Sequence, residues 1–278
     1  MKQTHSLRFE NWLMARFGGG FVAFVLKQLW AALFGCLFLA AILISKAIWQ
    51  ADWALARYDG LVLFAVGAQI LMLMFRLETK TEVKVILLFH VTGTIMEIFK
   101  VNAGSWAYPE ASVLKIMGVP LFTGFMYGTV GSYIARAIRV FDVRFAPYPP
   151  LPLAYLLALS IYVNFFSQHY IYDFRWILMA ATLLIYLRCR VWFHIGSRVM
   201  WAPFPVAVLL AAFGLWVAEN VGTFSKTWIY AGQASHDLVS FSKMGSWYLL
   251  IYVAFATVTL VQRRALLHRP LSEIEIRQ

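Results

Sequence analysis

Residues 97–108 read E-I-F-K-V-N-A-G-S-W-A-Y and close an apolar run, so Glu97 and Lys100 fall where lipid is expected. The pattern recurs at residues 219–230, E-N-V-G-T-F-S-K-T-W-I-Y, with Glu-x8-Trp-x-Tyr spacing in both copies. Around them lie eight apolar segments, at 22–46, 59–77, 84–101, 119–140, 151–171, 174–190, 201–220 and 244–262. Most approach the roughly 20 residues that carry a helix across about 30 Å of hydrocarbon. Four such segments separate the two copies. The expectation is an all-α, polytopic helical membrane protein of about eight transmembrane helices, built as two four-helix halves in parallel repeat. Repeats of that kind set their sites where the halves meet.

Composition points the same way. The chain is 62% hydrophobic and 13% charged, against about 25% charged in a soluble domain. Its net charge of +11 lies largely in connections on the N-terminal side of the segments, including Arg76, Lys80, Lys84, Arg136, Arg139, Arg144, Arg188, Arg190 and Arg198. The positive-inside rule then puts both termini in the cytoplasm of a bacterial-type inner membrane. Those residues serve topology, so nucleic acid is not an expected partner. Residues 1–20 read as a cytoplasmic segment with an interfacial helix ending at Gly18, Gly19 and Gly20. Residues 21–140 form the first half, 151–262 the second and 263–278 a cytoplasmic tail, all within one membrane domain. No cleavage pattern follows the first apolar run, which reads as an uncleaved span.

Charged and polar groups at membrane depth mark the candidate site, since each costs at least about 2.5–3.5 kcal/mol there. His90, Thr94 and Glu97 fall on one helical face, with Gly93 beside them. Lys100 stands within ion-pairing reach of Glu97; the two could neutralise each other, or the face could line a cavity. Glu219 and Asn220 close the seventh segment with no cation until Lys226. Ser160, Asn164 and Gln168 make a polar ridge on the fifth, followed by His169; such ridges glue helices together or wall a cavity. Gly124, Gly128 and Ser132 form a small-residue packing face, with Gly131 nearby.

Cys36 and Cys189 lack any disulfide or zinc spacing. Ser235, His236 and Asp237 are consecutive, so they cannot make a triad together. No His-rich box, G-x-G-x-x-G, Walker loop or paired-aspartate motif is present, and no cofactor or metal site is expected.

The stretches H-V-T-G-T-I-M-E-I-F-K-V-N-A-G-S-W-A-Y-P-E (His90–Glu110) and G-V-P-L-F-T-G-F-M-Y-G-T-V-G-S-Y (Gly118–Tyr133) resemble a bacterial integral-membrane family catalogued as domain of unknown function 817. That resemblance covers most of the chain and implies a multi-pass membrane protein without supplying an activity. A weaker likeness, carried by Glu97, Gly104, Trp106 and Tyr108, is to membrane carotenoid-pathway enzymes.

The leading expectation is a membrane-embedded acid/base enzyme acting on an apolar lipid or isoprenoid. Glu97 and Glu219 would donate and accept protons, helped by His90 and His236. Thr94, Lys100, Trp106, Tyr108, Asn164, Gln168, Asn220, Trp228 and Tyr230 would wall the pocket. The alternative is a proton-coupled transporter or permease, and the third a non-catalytic membrane assembly partner. Membrane lipids and an apolar small molecule are the expected partners; nothing sets an oligomeric state.

Overall fold

A computed structural model of the protein describes residues 20–50, 52–231 and 237–269. The expected interfacial helix before Gly20 and the assisting His236 lie outside the described residues. Nine α-helices run through the rest: α1 Phe21–Ala31, α2 Leu33–Ile48, α3 Arg57–Met74, α4 Lys80–Asn102, α5 Phe122–Val140, α6 Leu151–Ser167, α7 Arg175–Tyr186, α8 Phe204–Phe224 and α9 Phe241–Val261.

Every apolar segment contains helix, but length and apolarity do not support eight spans. Among the described residues three helices, α3, α8 and α9, are long and apolar enough to cross a membrane; α1 and α2 make a fourth if their 70° bend belongs to one broken span. The others fall short for visible reasons. The 23 residues of α4 carry Lys80, Glu82, Lys84, Glu97 and Lys100, and α5 carries Arg136 and Arg139. Helices α6 and α7 are 17 and 12 residues long.

The all-α expectation needs a second correction. Short strands occur at β1 Trp106–Ala107, β2 Lys115–Ile116, β3 Val119–Pro120, β4 Arg144–Ala146, β5 Arg190–Ile195, β6 Arg198–Pro203 and β7 Ile229–Tyr230. Strands β4, β5 and β6 form one antiparallel sheet. Its β5–β6 hairpin turns through two residues, with Gly196 in the left-handed region at the first of them. With β3, residues assigned to the ends of three apolar segments are therefore strand, because aromatic and β-branched residues facing a partner suit a pleated surface.

Helices α4 and α5 pack closest through the small-residue face of α5. A Cβ on Gly131 would sit 2.7 Å from the Phe89 ring, and one on Gly128 would sit 3.1 Å from Ile86. Small residues allow that approach, and at Gly131 an added Cβ would require the Phe89 ring to move. The face ends in charge: Ser132 donates to Glu78 at 2.9 Å, and the Arg136 guanidinium lies 3.0 Å from the same oxygen, with both charged side chains fully buried. The main aromatic core lies in the second half of the chain, where Phe145, Tyr186, Phe204, Tyr252 and Phe255 interlock.

Candidate functional site

Both copies of the glutamate pattern end their helix in the same way. At the end of α4, Ser105 N–H donates to Lys100 O at 3.0 Å and Gly104 N–H to Val101 O at 3.0 Å, with Gly104 at φ 69°. At the end of α8, Thr227 N–H donates to Gly222 O at 3.1 Å and Lys226 N–H to Thr223 O at 2.9 Å, with Lys226 at φ 54°. These are Schellman closures, and their left-handed residues stand at equivalent places in the two copies. The reversal sends the chain back towards its own glutamate. An extended Trp-x-Tyr then puts both aromatic side chains on one side, because strand side chains alternate.

Each carboxylate is thereby enclosed. Glu97 is 2% exposed; its Oε2 accepts from Trp106 Nε1 at 2.7 Å and Tyr108 OH at 2.8 Å, and its Oε1 from Tyr127 OH at 2.8 Å. Glu219 is 6% exposed; its Oε1 accepts from Trp228 Nε1 at 3.0 Å and from Tyr230 OH, and its Oε2 from Trp247 Nε1 at 3.0 Å. The third donors, Tyr127 on α5 and Trp247 on α9, approach each other with ring centroids 6.4 Å apart.

Strands β1 and β7 join the two centres. They pair antiparallel with Trp106 opposite Tyr230 and Ala107 opposite Ile229. Exchanging the two copies maps this register onto itself, as in a self-complementary contact. Burial and the adjacent carboxylate push the phenols of Tyr108 and Tyr230 well above their usual range, so both stay neutral donors.

The N-terminal turn of α3 anchors both loops. Arg57 makes a bidentate pair with Glu110 at 2.7 and 2.8 Å, Tyr58 OH donates to Thr227 O at 2.7 Å, and Asp59 accepts from Ser112 and from the backbone of Val113 and Leu114.

Both glutamates face one cavity of about 1060 Å³, which Trp106, Tyr108, Trp228 and Tyr230 also line. Along α5 and its C-cap its wall runs from Met126 to Phe141, and along α8 from Phe204 to Glu219. At 1.5 Å per helical residue that is about 22 Å of length. The wall is mostly aliphatic and aromatic.

The remaining expected residues divide. Lys100 lines the cavity, but its ammonium lies 2.8 Å from His169 Nε2 and 3.9 Å above the Phe165 ring, so it does not pair with Glu97. Gln168 lines the cavity and accepts from Arg175 at 3.0 Å. His90 and Thr94 pack against Gly124 instead, and the His90 ring lies 4.5 Å from Phe125. Neither reaches the cavity wall. Asn164 and Asn220 brace backbone: Asn164 Oδ1 accepts from Phe174 N–H at 2.9 Å, and Asn220 Oδ1 from Val239 N–H at 2.9 Å.

Sequence reasoning missed Trp247, Lys243 and Arg175, and it left Tyr127 unassigned. Gly93 was the available signal for Tyr127, since a Cβ there would sit 2.6 Å from that ring.

Gly222 makes equivalent room on α8, where a Cβ would overlap the Trp228 indole. Gly222→Ala should destabilise the protein by about 1–3 kcal/mol and shift tryptophan emission to the red as Trp228 leaves Glu219. Gly214→Ala on the same helix, with nothing within 4 Å of the new Cβ, should leave emission unchanged and melting equal or higher, since alanine is the better helix former.

The model of the family described as "Protein of unknown function (DUF817)" matches residues 20–255. The chain is 39% identical over 232 residues to a Bacillus subtilis (strain 168) protein named "Uncharacterized protein YoaT", a match covering 82% of this chain and 88% of that one. No solved structure matches. With a family match over most of its length and a relative this similar, the chain belongs to the DUF817 family.

Proposed function

We infer that this protein is a multi-pass membrane enzyme whose cavity takes an apolar lipid or isoprenoid and whose two glutamates exchange protons with it. One observation carries the reading: two buried carboxylates, each fixed by three aromatic donors, face the same long and largely apolar cavity. One carboxyl delivers a proton and the other takes one up, so turnover needs no oxidant or reductant. Trp106, Tyr108, Tyr127, Trp228, Tyr230 and Trp247 hold the carboxylates in place, and their ring faces can stabilise a developing cation. The fuller architecture belongs to this proposal: about eight spans in a bacterial inner membrane, cytoplasmic termini, and two four-helix halves related by the exchange of Glu97 and Glu219.

The test compares lipid extracts by mass spectrometry from a null strain, a wild-type strain and a Glu97→Gln strain at matched folded expression. A lipid species made or consumed only with wild type supports the reading. General acid–base catalysis contributes about 10²–10⁴-fold, so Glu97→Gln should resemble the null strain. A wild-type profile with Glu97→Gln removes the acid/base role.

A second reading, proton-coupled transport, draws on the self-equivalent register of β1 and β7. Halves related in this way can rock about a shared centre. Identical lipids in all three strains, together with proton flux in liposomes that depends on both glutamates, would favour it.

A further inference from the structure

The carboxylate end of the cavity also carries a group of cations. Lys100, His169, Arg175 and Lys243 all line it. Lys100 is 4% exposed, and its hydrogen-bond partner is the His169 imidazole at 2.8 Å, which supplies a lone pair and no negative charge. The Lys243 ammonium lies 4.0 Å above the Tyr230 ring and 5.8 Å above the Trp106 ring. Arg175 donates to Gln168 Oε1 at 3.0 Å and to Ser242 O at 3.5 Å, and its Nη2 lies 3.2 Å from Asp173 Oδ2. Lys100 is close enough to feel the charges of both Lys243 and Arg175, and Lys243 that of Arg175.

The facing carboxylates Glu97, Glu219 and Asp173 match the three fixed cations in number but are held by other donors, with Glu97 taken up by Trp106, Tyr108 and Tyr127 and Asp173 reaching Lys100 only at longer range. Asp173 contacts Arg175 and is also occupied by the Asn164 amide and the Arg175 N–H. Glu219 acts on Lys243 at longer range and already accepts three aromatic donors. Among the described residues neither lysine makes a direct ion pair with these carboxylates, so an anion placed among the cations would gain charge-assisted hydrogen bonds that the protein itself does not supply.

The shape says what kind of anion. His169 and Ser242 are exposed, so the cationic end is open. From there the cavity runs along α5 and α8 between apolar walls. Cys36 and Leu210 on its rim are exposed between α2 and α8, which leaves the groove open from the side. A free phosphate would leave nearly all of this wall unfilled. A neutral lipid would supply no such charge-assisted bonds.

We propose that the cavity binds an amphiphile with a phosphate or carboxylate headgroup, seated among Lys100, Arg175 and Lys243, with its chain lying along α5 and α8. This rests on the reading of the cavity as a lipid site. The test uses the full chain in neutral detergent, with native mass spectrometry and thermal melting, and three probes: palmitoyl lysophosphatidic acid, monopalmitoylglycerol and glycerol phosphate. The lysophosphatidic acid should bind as one equivalent, at least about tenfold tighter than monopalmitoylglycerol, as charge-assisted hydrogen bonds imply. Glycerol phosphate should produce no shift. Lys100→Gln/Lys243→Gln should remove the preference for the charged probe and leave monopalmitoylglycerol unaffected. Arg175→Gln, at a partly exposed side chain, provides a milder variant that should reduce the preference if the double variant does not fold.

Equal affinity for the charged and neutral amphiphiles, or an undiminished preference in the variants, overturns the headgroup site and leaves the apolar cavity standing. Glycerol phosphate binding as tightly as the lysophosphatidic acid overturns the role of the chain. Failure of both amphiphiles to bind removes the lipid site itself.

Discussion

Arg136→Met is expected to destabilise the protein by about 3–5 kcal/mol, the loss that follows when one partner of a buried ion pair is removed. The guanidinium and the Glu78 carboxylate both have fully buried side chains and lie 3.0 Å apart. Arg136 also donates to Trp30 O at 3.3 Å, just before the bend between α1 and α2. Without it, Glu78 is left buried with the Ser132 hydroxyl at 2.9 Å and the more distant Arg139 charge to stabilise it. The double variant Glu78→Leu/Arg136→Met removes both charges and should melt within about 1 kcal/mol of wild type, or above it, as apolar replacement of buried pairs does elsewhere. Arg139→Met should cost less. Its side chain is 42% exposed, and its partner Glu82 retains the Thr79 N–H at 2.7 Å in the capping box that starts α4. Melting in detergent decides the matter: equal losses for Arg136→Met and Arg139→Met would mean that burial of the first pair carries no special penalty.

The parts of this protein that were legible in the sequence are those set by local geometry. Glu-x8-Trp-x-Tyr describes one helix end, one Schellman reversal and one strand step, so each glutamate and its own Trp and Tyr come together from residues within about a dozen positions of each other. The same logic made Gly124, Gly128 and Ser132, with Gly131 nearby, readable as a packing face. What escaped depends on tertiary placement. Tyr127 and Trp247 reach their carboxylates from the following helix, and nothing near Glu97 or Glu219 specifies them. Lys100 follows Glu97 at ion-pairing distance along a helix, yet the position of His169 decides where its ammonium goes. His90 shares a helical stripe with Glu97 on a wheel, but the close approach of Gly124 claims it. The β5–β6 hairpin was hidden for a different reason. Short apolar runs rich in Val, Phe and Trp read alike as strand or as the end of a buried helix, and R-V-W-F-H-I-G-S-R-V-M-W-A-P adjoins apolar helices on both sides. The bend at Ala32 has no hydropathy signal, because hydropathy carries no direction.

The two carboxylates also respond differently to substitution, and that difference separates chemistry from packing. Glu97→Ala leaves the Trp106 N–H and the Tyr108 and Tyr127 hydroxyls without their acceptor. At about 1–3 kcal/mol for each buried group left unsatisfied, the loss should exceed about 3 kcal/mol. Glu97→Gln should be far milder. Oε2 carries Trp106 and Tyr108, while Oε1 carries only Tyr127, so the amide nitrogen can take the Oε1 place. The Tyr127 hydroxyl then rotates from donor to acceptor, which a phenol can do. Glu219 offers no such place. Its Oε1 receives the Trp228 indole and its Oε2 the Trp247 indole, and an indole N–H can only donate. In Glu219→Gln one N–H must face another, and the variant should lose about 1–3 kcal/mol more than Glu97→Gln. Replacing Trp247 by tyrosine or phenylalanine in the Glu219→Gln background should recover part of that difference, because the opposed indole donor is gone. Equal melting of Glu97→Gln and Glu219→Gln would contradict the assigned hydrogen-bond pattern. The predicted order makes Glu97→Gln the variant in which lost turnover reports on the proton, since its fold is the one expected to survive.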